Sequence, residues 1–145
     1  MSKSGVIALA AAIALSGAAP AVAQSEYRQQ LQSQFDNARN LVSGDGYTVA
    51  IGPFIGMLNN GNRERFTIPV QKGVRYKVLG VCDNDCEDLD IRVSIGDNVV
   101  AEDVLDDDVP IVNFTAKNET RYSVRVTMAT CKADPCFWGI AVFYK

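Results

Sequence analysis

From Tyr47 onward apolar residues recur at every second position, and this period constrains the fold more than any other feature of the 145-residue chain. Tyr47, Val49 and Ile51 alternate with Thr48 and Ala50, and Phe66, Ile68 and Val70 with Thr67 and Pro69. A Lys72-Gly73 turn leads to Val74, Tyr76 and Val78; Leu89, Ile91, Val93 and Ile95 follow. Gly96-Asp97-Asn98 turns the chain into 99–101, and 111–115 is short. Tyr122, Val124, Val126 and Met128 then precede a last run of Trp138, Ile140, Val142 and Tyr144. Alternation sends neighbouring side chains to opposite faces of a strand. Seven or eight short strands separated by turns therefore predict an all-β, antiparallel β-sandwich over residues 47–145. Each sheet is expected to have one buried and one wet face, and Pro69 marks an edge strand. The single tryptophan, Trp138, beside Phe137, is expected in the core rather than as a ligand platform.

Upstream the period changes. Tyr27, Leu31, Phe35, Ala38 and Val42 fall at intervals of four, four, three and four, one face of an α-helix. Residues 24–46 thus predict an N-terminal helix and linker, with the helix over 25–42, Ser25 as its cap and Gly44 past its end. Its stripe is expected to pack on the sandwich or link to it.

Residues 1–23 have the three regions of a secretory signal peptide: a short start with Lys3, an apolar run over 6–19, and Ala21-Val22-Ala23 before Gln24. The run is short for a bilayer span, so no membrane span is expected in the mature chain. Cleavage leaves 122 residues at a net charge of −4, in the periplasm or outside the cell. In that oxidising setting the four cysteines predict disulfides. Three pairings are open to them. Cys82 and Cys86 bracket Asp83-Asn84-Asp85, and Cys131 and Cys136 bracket 132–135, which favours two local clips; a four-cysteine zinc site is the rival reading.

The chain has no histidine, so neither a Ser-His-Asp nor a Cys-His system nor a histidine-ligated zinc enzyme can be built. Its acidic balance, without basic runs, argues against a nucleic-acid partner. No Gly-rich phosphate loop opens a helix.

Phe66-Thr-Ile68-Pro-Val70-Gln-Lys-Gly73-Val-Arg-Tyr76, followed by Asp88-Leu89-Asp90, resembles bacterial pre-peptidase C-terminal (PPC-like) domains. Their late G-x-Y-x-V-x-V strand is matched by Thr120-Arg-Tyr122-Ser-Val124-Arg-Val126, with Thr120 in place of the glycine. The resemblance covers residues 62 to about 144, although the two cysteine loops are not general to that family and suggest a small stand-alone secreted group. It implies a jelly-roll-like, non-catalytic sandwich of the kind appended to secreted proteases, some of which bind calcium or substrate.

Charge is the other outstanding feature. Residues 83–108 hold eleven acids and only Arg92 against them, a net of −10. Crowded carboxylates repel, and calcium, which takes six to eight oxygens, would relieve them. The expected metal ligands are Asp83, Asp85, Asp88 and Asp90, with Asp106, Asp107 and Asp108; the spacing is not that of an EF-hand, and a solvated acidic surface is the plainer reading. Asp90 is expected to point outward. Paired carboxylates raise glycoside hydrolysis, but acids crowded into the loops of a small sandwich favour binding over catalysis. The chain is thus expected to be a non-enzymatic, exported binding module for a protein or polysaccharide partner, with calcium as its candidate ion. The alternative is an accessory structural protein of the envelope without a small ligand.

Overall fold

The computed structural model describes residues 21–145; the expected signal segment lies outside the described residues except for its last three, which open the helix. α1 (Ala21–Gly44) starts four residues before Ser25, so Ser25 is not its cap. Alanine-rich 21–23 favours helix and carries it backward.

Eight strands follow: β1 (Thr48–Leu58), β2 (Arg63–Val70), β3 (Arg75–Cys82), β4 (Cys86–Ile95), β5 (Asn98–Asp103), β6 (Ile111–Thr115), β7 (Thr120–Cys131) and β8 (Cys136–Tyr144). They form two antiparallel four-stranded sheets, ordered β1-β8-β3-β6 and β2-β7-β4-β5. Only β4 and β5 are joined as a hairpin within one sheet; every other connection crosses between sheets. This eight-stranded, double-sheet arrangement is a jelly-roll sandwich. β2, with Pro69, is an edge strand as its proline requires.

The inward residues of both sheets make the main core, from Ile68, Val78 and Leu89 through Tyr122 and Val124 to Trp138 and Val142. Trp138 is 3% exposed and belongs to this core. A second core lies on the other side of the β1-β8-β3-β6 sheet, where Leu31, Phe35, Ala38 and Val42 of α1 meet Leu79, Val81, Phe137, Ala141 and Phe143. One wet face per sheet therefore holds only for the β2-β7-β4-β5 sheet. The helix stripe needs an apolar partner, and β8 supplies it by being apolar on both faces. Each aliphatic or aromatic side chain buried in this way contributes about 1.5–3 kcal/mol relative to exposure.

The helix comes close because Gly139 has no side chain: a Cβ there would sit 2.5 Å from Cε2 of Phe35. β1 runs well past the predicted 47–51. Its pairing with β8 shifts register between Val49 and Ile51 and again before Phe54, around Gly52 at φ +97°, which breaks the alternation that would have marked its second half.

Candidate functional site

The acidic residues lie at the end of the sandwich where β3 passes to β4. The Cys82–Cys86 disulfide closes that turn and Cys131–Cys136 closes the β7–β8 turn, so both local pairings are formed and no free thiol is left to bind zinc. Asp83, 2% exposed, accepts hydrogen bonds from the backbone N–H of Phe137 at 2.7 Å and of Asp85 at 3.2 Å. Burial pushes its carboxyl above the ordinary range, and these two donors work against that rise. Asp85 accepts from the Tyr27 hydroxyl at 3.2 Å, and this bond raises the phenol. Gln34 Nε2 donates to Cys82 O at 3.1 Å, and Tyr27 stacks on Phe137 at 5.1 Å. Asp83 and Asp85 thus fasten the turn to α1 and β8.

Asp88 and Asp90 lie on the outward side of β4, as alternation requires, and both are partly buried. Asp88 Oδ1 is buried without a hydrogen-bond partner. Its carboxyl is raised first by burial and then by Asp90, Asp106 and Asp107. Asp90 is raised by burial, with Arg92 pulling it down and Asp103 pushing it up. In the β5–β6 loop Asp107 O accepts from Leu89 N at 3.0 Å, and Asp107 Oδ1 caps Val109 N at 3.1 Å. The carboxylate of Asp103 binds Ile111 N at 2.9 Å and Leu105 N at 3.3 Å.

The fold therefore brings Asp106 and Asp107 toward Asp88 but turns Asp83 toward β8 and Asp85 toward the helix. Asp108 is exposed, with its carbonyl oxygen 3.6 Å from Cys82 Sγ. Among the described residues no group of three or more acids is gathered to hold a metal ion. The seven expected ligands do not form one shell.

A charged surface that the sequence reading did not single out lies on the open face of the β2-β7-β4-β5 sheet. Cross-strand register sets Arg65 opposite Arg125, Arg125 opposite Arg92, and Arg92 opposite Glu102, one row across four strands. Arg63 and Arg121 take outward positions at either side of the row on β2 and β7. Arg92 pairs with Glu102, whereas among the described residues Arg63, Arg65 and Arg125 lie in no ion pair. Arg65, Arg92, Ser94, Gly96, Asp97, Val99 and Arg125 line a cavity of about 200 Å³. Burial, then Arg92, Arg63 and Arg65, hold the Arg125 guanidinium below the usual arginine range. Ser123 Oγ, on the same strand face, is buried without a partner. The arginines were visible as outward members of alternating strands, but their meeting depends on long-range strand order, which has no local signal.

A wider groove of about 870 Å³ runs between the ends of β1 and β2, with Val49, Ile51, Pro69, Tyr76 and Tyr144 among its walls. No helix among the described residues is long and apolar enough to cross a membrane. No protein-family model matches the chain, and no curated protein shows significant similarity to it.

Proposed function

We propose that this chain is an exported, non-catalytic binding module whose working surface is the open face of the β2-β7-β4-β5 sheet. The observation that carries the reading is the asymmetry of the two sheets. α1 covers the outer face of one, while among the described residues the outer face of the other stays open and holds five arginines with Thr67, Ser94 and Ser123. Two disulfides fit an oxidising compartment, and the leader-like residues 1–23 supply a route to it. Asp83, Asp103 and Asp107 spend their carboxylates on backbone N–H groups, which supports a role in holding loops rather than in acid–base chemistry. The resemblance to pre-peptidase C-terminal domains points the same way, toward recognition on a sandwich.

Two measurements test the reading. Intact mass of the exported product is expected to show a chain starting at Gln24 with both disulfides formed; a product that keeps residues 1–23 refutes cleavage before Gln24, and a chain found only in the cytoplasm refutes export. The purified mature chain is then applied to an array of envelope polysaccharides and secreted proteins. Saturable binding is expected, and Thr67→Trp, which places a bulky group on the exposed strand face, is expected to abolish it. Binding indifferent to that substitution moves the working surface elsewhere; no binding at all favours the structural accessory role.

A further inference from the structure

We infer that Arg65, Arg125 and Arg92 form a binding site for a tetrahedral oxyanion of the phosphate or sulfate class, either free or carried as a group on an envelope polymer. This rests on the open sheet face being the working surface and names the ligand chemistry of that face.

The argument begins with strand register. Residues directly opposite on neighbouring strands have Cβ atoms about 4.5–5.5 Å apart, and like charges so placed repel. Arg65–Arg125–Arg92 puts three like charges side by side across two strand junctions. Glu102 is ion-paired with Arg92, at the far end of the row, and reaches Arg125 only through space, while Asp97 borders the cavity from the β4–β5 turn. Asp88 and Asp90 share the outward side of β4 with Arg92, and Asp90 acts on both Arg92 and Arg125. The five arginines of the face still outnumber these four acids. Arg125, the middle of the row, is half-buried and has no acid partner among the described residues.

The lining of the cavity narrows the ligand. At about 200 Å³ it has room for a phosphate or sulfate group, and its three arginines select for negative charge. A guanidinium presents its donors as a flat fork, and a single fork can engage both oxygens of a carboxylate. Several arginines around one cavity call for an anion with oxygens on more than one side, which a phosphate or sulfate group supplies. Burial, and then its arginine neighbours, hold the Arg125 guanidinium below the usual arginine range, and the negative charge of a bound anion would offset the repulsion among the guanidiniums.

The test uses the mature, disulfide-bonded chain, with calorimetric titration and thermal melts at fixed ionic strength. Inorganic phosphate, inorganic sulfate and dextran sulfate are the probes, and chloride is the reference. Saturable binding with a rise in Tm over chloride is expected. Removing one charge-assisted fork by Arg125→Gln or Arg65→Gln is expected to weaken it by about tenfold. Glu102→Gln frees Arg92 and removes a competing carboxylate, so it is expected to tighten binding severalfold. That exposed substitution keeps the test decisive if Arg125→Gln fails to fold. Arg28→Gln on α1 is expected to leave binding unchanged.

Binding of the free ions assigns a free oxyanion, and binding of dextran sulfate alone assigns a polymer-borne group; both support the site. Absence of any oxyanion binding overturns it, as does affinity indifferent to Arg65, Arg125 and Glu102, or reduced as much by Arg28→Gln. A neutral ligand captured by the Thr67-sensitive face would leave the binding-module reading standing and overturn the oxyanion assignment.

Discussion

Asp83 and Asp88 are five residues apart, and both have carboxyls raised by burial, yet they are expected to respond oppositely to substitution. Asp83 is the acceptor for the buried N–H of Phe137 and for that of Asp85. Asp83→Ala orphans these donors and is expected to cost about 1–3 kcal/mol, read as a lower urea midpoint at unchanged slope. Asp88 instead buries an oxygen that nothing satisfies. Its folded-state pKa lies above the unfolded value, so the folded chain holds that proton more tightly. Stability conferred by the protonated form is full below about pH 4, the unfolded value, and is lost as pH rises through the raised folded one. Asp88→Asn removes this loss and is expected to raise Tm near neutral pH by about one to two degrees, with no gain well below pH 4. A gain that persists in acid would show that charge is not the cause. Calcium is tested on the same pair of proteins: a Tm rise specific to calcium over magnesium, absent in Asp88→Asn, would place the ion at Asp88, Asp106 and Asp107. Alternation alone placed Asp88 and Asp90 outward; the inward turn of Asp83 was hidden because its partner lies 54 residues away.

At the scale of elements, the contact between α1 and β8 is the one whose sequence signal was present in halves. The stripe from Tyr27 to Val42 announced an apolar face, and Cys136 to Phe143 is buried at every position, the mark of a strand covered on both sides. Nothing local joined the two halves, because a helix face carries no label for its partner. Gly139 is the point of closest approach, so Gly139→Ala is expected to push Phe35 aside at a cost of about 1–3 kcal/mol. Phe35→Ala removes a packed ring and is expected to cost about 3–5 kcal/mol. The two substitutions should not add. In the double variant the new methyl occupies space that the ring has vacated, and a thermodynamic cycle is expected to give a favourable coupling above about 0.5 kcal/mol. Strict additivity would mean that Phe35 and Gly139 do not pack as described.

At the scale of the whole molecule, two sheets were legible from alternation and turns, but their strand order was not. β1 and β8 pair from Thr48–Tyr144 to Leu58–Cys136, across nearly the full length of the domain, and no turn chemistry encodes such a pairing. The two disulfides have a meaning only in that topology. Cys82–Cys86 spans the step from β3 to β4, and Cys131–Cys136 the step from β7 to β8. Each step leaves one sheet for the other, so both clips tie the sheets at the same end, and Cys86 lies opposite Cys131 in the strand register. Loops this short contribute about 2 kcal/mol each in the chain-entropy model, roughly 4 kcal/mol together. The main core continues well beyond that end, through Ile68, Tyr76 and Tyr122, and does not depend on the clips. Reduction is therefore expected to lower the urea midpoint while leaving one cooperative transition. In the reduced protein hydrogen exchange is expected to quicken in 82–86 and 131–137, with little change around Gly73 and Ala116 at the opposite end, where Gly73 N still donates to Ala116 O at 2.8 Å. Uniform quickening over both ends would show that the clips hold the whole sandwich rather than one seam of it.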